Sequence, residues 1–343
     1  MRICLLGEFH GNLDEGMRKS SFYISRTLSK NHQLLLSDLR KVTSKFFWRD
    51  LKDFKPQIIH YIHGSSLKSL LLLKALSHYC SNAKTVISMM HPNFSILSKH
   101  LLYFMKPDLV LVQSDEMERM FKALKCKTKF LPIGGVDTEK FNPSLIEKKE
   151  KLRVKYGIDR DRFVVLHIGS IKEGRNVLWL KRLQEKKDDI LVLIVGAVSQ
   201  GVHQDSLHQL EKAGCLVWTK YVENIEEIYA LSDCYVFPVL PKKDRLRRNL
   251  ADSIEVPLSV LEAMSCNLPI ITTKFGALPR VFEEGDGLFF AEGDEDFINA
   301  LKEIKNGVNV KTREKVLPYS WENIGKRLEE IYSNLMVGEK NEN

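Results

Sequence analysis

The stretch Val164-Val165-Leu166-His167-Ile168-Gly169-Ser170-Ile171-Lys172-Glu173-Gly174-Arg175-Asn176 decides the fold. Its opening residues are mostly branched and apolar without polar alternation, as in a strand buried on both faces of a parallel sheet. The run stops at a glycine, passes a short basic loop and enters a helical pattern from Asn176 to Gln184. Strand, loop and helix in that order form the repeating unit of a doubly wound α/β sheet. The unit recurs downstream, with strands expected at Ile190 to Val195, Leu216 to Trp218, Tyr235 to Phe237, Ile270 to Thr272 and Leu288 to Phe290. Helical patterns lie among them at Ser206 to Ala213, Ile225 to Leu231, Pro257 to Ser265 and Asp296 to Lys305.

A second series runs upstream. Apolar stretches at Ile3 to Leu6, Leu34 to Leu36, Ile58 to Ile62, Val86 to Met90, Leu109 to Val112 and Phe130 to Ile133 alternate with helical ones such as Met17 to Ser29, Leu67 to His78 and Asp115 to Leu124. The 343 residues exceed what one core usually serves. The fold class is therefore α/β, two doubly wound Rossmann-like domains facing a central cleft. The expected division is an N-terminal domain over 1–135, a linker at 136–156 holding the charged run Glu147 to Lys151, a second domain over 157–320, a helix at 321–337 and a polar tail at 338–343. Sheets of this kind bind ligands outside the carboxyl ends of their strands, so function is sought there.

Composition narrows the partners. With 44% hydrophobic and 28% charged residues the chain can fill two cores, which excludes a disordered or low-complexity protein. The net charge of +8 is uneven: residues 1–135 hold 21 Lys and Arg against 10 Asp and Glu. Such an imbalance suits an anionic membrane surface, an anionic substrate or plain solubility. No basic element is interleaved with aromatics in the manner of a nucleic-acid reader, so no nucleic-acid partner is expected. The six cysteines are scattered without metal spacing, which suggests reduced thiols in a cytoplasmic protein. No apolar stretch reaches the roughly 18 residues of a membrane span.

The turn Gly7-Glu8-Phe9-His10-Gly11-Asn12 leads through Gly16 into a helix bearing Arg18 and Lys19. A glycine turn before a helix N-terminus is a candidate for anion or sugar binding, because backbone N–H groups are free there. His60, His63 and His91 stand at or near strand ends, where an imidazole can hydrogen-bond a substrate hydroxyl; His60, inside an apolar run, reads as a core histidine. Gly169, Ser170 and Gly196 are small residues at strand ends that let a diphosphate approach the backbone, and Lys172 and Arg175 can neutralise it. Glu262 lies on a helix opened by Val256, Pro257 and Leu258, amid apolar neighbours, and needs a partner; paired ribose hydroxyls or an ion pair would serve.

Several segments together resemble the retaining GT-B glycosyltransferases of the large group-1 class, family four in the sequence classification. They are Ile133 to Pro143, Gly169 to Asn176, Ile225 to Pro238, Glu255 to Pro269 and Ser320 to Tyr332. The resemblance implies a nucleotide-sugar donor on the second domain, an acceptor on the first and transfer with retention of anomeric configuration. It implies Glu262 on the ribose, Lys172 and Arg175 on the diphosphate, His91 on a hydroxyl of the transferred sugar, and the Tyr221-Val222 backbone facing the base. Gly11, Asn12, Gly16, Arg18, Lys19 and His63 fall on the acceptor side. The helix from Trp321 would return to the N-terminal domain.

The chain departs from the family pattern in places. Ile254 occupies the position of the family's first glutamate, and Glu255 follows one residue late as a candidate catalytic group. Ser170 replaces an arginine, Arg175-Asn176 replaces lysine-glycine, and Arg280 replaces a glutamate. Neither Asp159-Arg160-Asp161 nor Asp294-Glu295-Asp296 sits where a metal would meet phosphate, so no metal or other cofactor is expected. The acceptor stays open among a lipid-linked, a glycan and a phosphate-bearing molecule, and the expected location is cytoplasmic or peripheral on the cytoplasmic membrane face. A sugar-nucleotide epimerase of the same fold and a weakly catalytic nucleotide-sugar-binding scaffold are the alternatives.

Overall fold

The computed structural model describes all residues except 14, 65, 91–101, 103, 173, 187–188, 197–200, 241–253 and 339–343. Two compact units emerge. Unit 1 comprises Met1–Gly135, Ser253–Val256 and Trp321–Asn343, and unit 2 comprises Val136–Asp252 and Pro257–Ser320.

Unit 1 is built on β1 (Arg2–Gly7), α1 (Gly16–Leu28), β2 (Gln33–Asp38), α2 (Lys45–Phe54), β3 (Ile58–His63), α3 (Leu67–Tyr79), β4 (Lys84–Met89), β5 (Leu109–Val112), α4 (Asp115–Ala123) and β6 (Thr128–Phe130). The strands form one sheet in the order β2-β1-β3-β4-β5-β6, and every pair is parallel. Serine side chains start the helices: Ser44, Ser66 and Ser114 each accept from a backbone N–H of the first turn. Cys4, Leu6, Ile59, Ile87 and Val110 of the sheet pack with Phe47, Leu51, Leu70 and Phe121 of the helices. The last strand differs from the expected Phe130 to Ile133. Pairing with β5 falls on Thr128 to Phe130, while Leu131 and Ile133 are buried in coil beyond it. Leu131 still donates its N–H to the Val112 carbonyl of β5, and beyond it apolarity reports burial, not pairing.

Unit 2 contains α5 (Lys149–Lys155), β7 (Phe163–Gly169), α6 (Trp179–Lys186), β8 (Ile190–Gly196), α7 (Gln204–Lys212), β9 (Leu216–Trp218), α8 (Ile225–Leu231) and β10 (Cys234–Phe237). It continues through α9 (Leu258–Ser265), β11 (Ile270–Thr272), α10 (Leu278–Val281), β12 (Leu288–Phe290), α11 (Asp294–Lys305) and α12 (Thr312–Val316). Its sheet is again wholly parallel, in the order β12-β11-β10-β7-β8-β9.

Two expectations are corrected in this unit. The stretch 136–156 is no linker but part of the fold. Arg153 is 5% exposed and donates to the carbonyls of Leu231, Arg160 and Arg162 and to Asp233. Phe141 packs edge-on against Tyr229 at 5.6 Å. Composition cannot distinguish a solvated charge run from one whose cations neutralise a carboxylate within the fold. The helix expected from Asn176 starts instead at Trp179, because Gly174 and Asn176 take left-handed φ angles of +84° and +54° that a helix cannot continue.

The final helix, α13 (Trp321–Val337), belongs to unit 1. Trp321 stacks on Tyr23 of α1 with centroids 5.2 Å apart, and a Cβ on Gly325 would lie 2.2 Å from Thr27 Cγ2, so the two helices touch backbone to side chain. His60 is a core histidine, with Nδ1 2.6 Å from the Tyr332 hydroxyl and Nε2 2.7 Å from Ser88 Oγ. Burial pushes its pKa from 6.5 down to about 3, so the folded protein keeps it neutral while the unfolded chain takes up a proton. The stability this contributes is complete above the unfolded pKa and is lost as pH falls from there. Between pH 6.5 and 5 urea unfolding should show a loss of about 2 kcal/mol from this histidine. His60→Gln is expected to flatten that slope.

Candidate functional site

In unit 2 the strand order reverses between β7 and β10, which makes the carboxyl ends of those strands the expected ligand crevice. Asn176 closes across this point, its Nδ2 donating to the Pro238 carbonyl at 2.9 Å. Beneath it the His167 Nδ1 lies 3.0 Å from the Val236 carbonyl. Burial lowers the His167 pKa to about 4, with the charge of Arg175 acting in the same direction, so the ring is neutral. Arg175 also bears on Tyr235, whose hydroxyl lies 2.7 Å from Ser259 Oγ and 3.2 Å from the Ile168 carbonyl. The neighbouring Tyr229 donates to Glu262 Oε2 at 2.8 Å. The two tyrosine rings are 6.0 Å apart.

These contacts bring the end of β7 and helix α9 into one cluster, which ends at Glu262, a residue 4% exposed. Ser170 is buried and Lys172 half-buried within the loop from Gly169 to Asn176. Pro257 is the residue before α9, not in its first turn: its ψ of 110° is extended. Leu258 opens the helix, and Glu262 sits in its second turn. A Cβ on Gly169 would stand 3.1 Å from His167 Nε2, and one on Gly196 3.1 Å from Ile171 Cδ1. Both positions are thus tight for a side chain. Tyr221 and Val222 follow β9 in a loop, with Tyr221 exposed. Tyr229, Tyr235 and Ser259 were not singled out in the sequence, although a buried tyrosine inside an apolar segment needs a hydroxyl partner.

In unit 1 the strand order reverses between β1 and β3. His63, at the end of β3, has Nε2 3.1 Å from Glu8 Oε1 just beyond β1. Glu8 is held below the usual carboxylate range chiefly by that hydrogen bond. Arg18 donates to the Asn12 carbonyl at 2.6 Å and lies 3.9 Å from Glu8. Gly11 has φ +103°, and a Cβ there would meet the Arg18 guanidinium. Two N–H groups of this turn are already taken: Ser21 Oγ accepts that of Glu8, and Asp38 Oδ2 that of Phe9. At the mouth of α1, which Gly16 opens, Glu15 accepts from the Arg18 N–H, and the Lys19 N–H bonds the Glu15 carbonyl. Glu8, missed as a site residue, becomes visible only when β1 and β3 are adjacent.

Glu255 and Val256 fall in unit 1, where the Glu255 N–H donates to the Met90 carbonyl at 3.1 Å. Ile254, Glu255 and Val256 are all buried. His91 lies outside the described residues. Among the described residues no cluster of three or more His, Cys, Asp or Glu could hold a metal ion, and no helix is long and apolar enough to cross a membrane.

Residues 162–306 match the family described as glycosyl transferases group 1. A sulfoquinovosyl transferase of Arabidopsis thaliana is 26% identical over 54% of this chain and 36% of its own length. An uncharacterised glycosyltransferase of Methanocaldococcus jannaschii is 25% identical over 76% of this chain and 66% of its own. The chain thus spans less than two thirds of either relative. The Anabaena HepE protein, solved in complex with UDP and glucose, is 14% identical with a TM-score of 0.74 over 97% of this chain and 100% of its own. A glycosyltransferase of Rickettsia africae gives 14%, 0.76 and 98% of each chain. At such identity the likeness is one of fold: the two six-stranded sheets are those of GT-B.

Proposed function

We propose, from the match of residues 162–306 to the group 1 glycosyl transferases and from the GT-B fold, that the chain is a glycosyltransferase of that group, moving a sugar from a nucleoside-diphosphate donor to an acceptor hydroxyl with retention of anomeric configuration. Unit 2 holds the donor and unit 1 the acceptor. The observation that carries this reading is the cluster joining Glu262 to the end of β7 through Tyr229, Ser259 and Tyr235 at the reversal of the unit 2 sheet, with the charge of Arg175 acting on Tyr235. Glu262, buried and oriented by Tyr229, accepts from the ribose hydroxyls. Lys172 and Arg175 face the diphosphate, and the Tyr221-Val222 backbone faces the base. His91 takes a hydroxyl of the transferred sugar, and Glu255 serves the transfer step.

In the reaction the bond from C1 to the phosphate oxygen breaks and one to the acceptor oxygen forms on the same face. The acceptor proton passes to the departing phosphate. Fixed cations stabilise the oxyanion that leaves, so the proposal needs no metal. The match of 162–306 is to transferases, which leaves the epimerase reading without support. Turnover against a panel of nucleotide sugars tests the proposal, with NMR coupling constants reporting the product anomer. A retained configuration is expected; an inverted one overturns retention, and no nucleotide release with any pair overturns the reading.

The charge of unit 1 favours an acceptor met at an anionic lipid surface. On α2, Lys45, Arg49 and Lys52 share the side opposite the buried Phe47 and Leu51, and Phe46 beside them is 67% exposed with the Arg49 guanidinium 5.2 Å from its ring. Vesicles rich in anionic lipid should sediment with the protein at low salt and release it at high salt, while nucleotide affinity stays constant. Equal sedimentation with neutral vesicles would contradict this.

A further inference from the structure

We infer that Glu8 and His63 form a binding pair for a neutral polyhydroxylated ring, a sugar or cyclic polyol, and that this ring is the part of the acceptor seated in unit 1. The inference rests on the proposed transferase function and specifies its acceptor. β1 and β3 pair in parallel with Leu6 opposite Tyr61, which carries Glu8 and His63 to the same end of the sheet, at the point where strand order reverses. Their side chains are 30% and 29% exposed, buried enough to be oriented and open enough to be reached.

The surrounding chemistry selects the ligand. A phosphate would need free N–H donors or uncommitted cations. Here the N–H groups of Glu8 and Phe9 are taken by Ser21 and Asp38, and the Arg18 guanidinium is turned onto the Asn12 carbonyl. Among the described residues Glu8 is itself a part-exposed anionic group at the turn, and it repels phosphate. A carboxylate is acceptor-only and has lone pairs for two hydroxyls at once, the geometry of a vicinal diol. Its hydrogen bond with His63 keeps Glu8 ionised below the usual carboxylate range, so it presents no proton of its own.

His63 adds a second point of contact. With Nε2 committed to Glu8, Nδ1 is the ring's second polar atom, and among the described residues nothing bonds it. A third hydroxyl can hydrogen-bond there. Carboxylate and imidazole together thus read a ring at three hydroxyls, and the carboxylate disfavours an anion. The basic surplus of unit 1 then belongs to the surface that meets the membrane and not to the pocket that holds the acceptor ring.

The test uses the full chain saturated with UDP and reads saturation-transfer NMR with methyl α-glucoside, methyl α-galactoside and myo-inositol against glycerol 3-phosphate and inorganic phosphate. At least one neutral compound should bind, and Glu8→Gln should weaken it tenfold or more while UDP affinity changes less than twofold. Dodecyl glucoside alongside the methyl glycoside tells a lipid-linked from a free acceptor. Should Glu8→Gln fail to fold, His63→Gln keeps the carboxylate and removes its partner, and a loss of threefold or more is expected. Binding by the phosphate compounds alone, no neutral binding at all, or neutral binding indifferent to both substitutions overturns the inference. A wild-type protein that ignores every nucleoside diphosphate would instead overturn the transferase reading, whatever the sugars do.

Discussion

Glu262→Ala is expected to weaken nucleoside-diphosphate binding by about 100-fold or more. The carboxylate is 4% exposed on α9, whose Leu258, Val260, Leu261, Ala263 and Met264 are buried around it, and Tyr229 donates to its Oε2. A hydrogen bond to a charged group contributes about 1.5–3 kcal/mol, and two ribose hydroxyls on one carboxylate therefore amount to about 3–6 kcal/mol. Each 1.4 kcal/mol is about a factor of ten, so the lower end already gives the 100-fold loss. Tyr229→Phe removes one donor that orients the carboxylate, and a loss near tenfold is expected. Glu255→Ala, in the other unit, should leave the affinity intact and slow transfer. Calorimetric titration of UDP into the three variants separates these outcomes; equal losses for Glu262→Ala and Glu255→Ala would contradict the assignment.

Asp233→Ala is expected to cost unit 2 about 3–5 kcal/mol, the usual consequence of stripping the partner from a buried charge. Asp233 receives the Arg153 Nη2 at 2.6 Å, the Lys149 ammonium at 2.7 Å and the Val164 N–H at 2.6 Å. Without it the Arg153 guanidinium keeps its carbonyl partners but loses its counter-charge inside the fold. Arg153→Met, which replaces the guanidinium by an apolar chain of similar length, should cost less. Urea unfolding measures both. A change under 1 kcal/mol for Asp233→Ala would show that residues 136–156 are only loosely attached to unit 2, as a linker would be.

Much of the fold was legible because parallel strands buried on both faces write themselves as branched runs: Ile270 to Thr272 and Leu216 to Trp218 fall where expected. The position of His60 within such a run likewise marked it as a core residue. Pairings across long sequence separations were not legible. Arg153 with Asp233 and Glu8 with His63 depend on which strands become neighbours, and no local pattern encodes that order. The late start of α6 escaped because Asn176, a residue able to take positive φ, does so directly after Gly174. In the site, Glu262 was visible as a charge among apolar residues, whereas Tyr229 and Tyr235 looked like filling until their hydroxyls were placed on Glu262 and Ser259.

The departures from the family pattern have a structural setting. Ile254 is buried, and the next residue, Glu255, is fixed by its backbone N–H on the Met90 carbonyl. Arg175 stands where its charge reaches both His167 and Tyr235, so the loop keeps a cation at the reversal point although Ser170 supplies none.

The central claim is that unit 2 binds a nucleoside-diphosphate sugar through Glu262, and saturation-transfer NMR against a panel of nucleotide sugars tests it most directly. Transfer to the ribose and base protons of at least one nucleotide sugar by the wild-type chain, abolished in Glu262→Ala, is the expected result. No transfer to any nucleoside diphosphate, or transfer undiminished in Glu262→Ala, would contradict it.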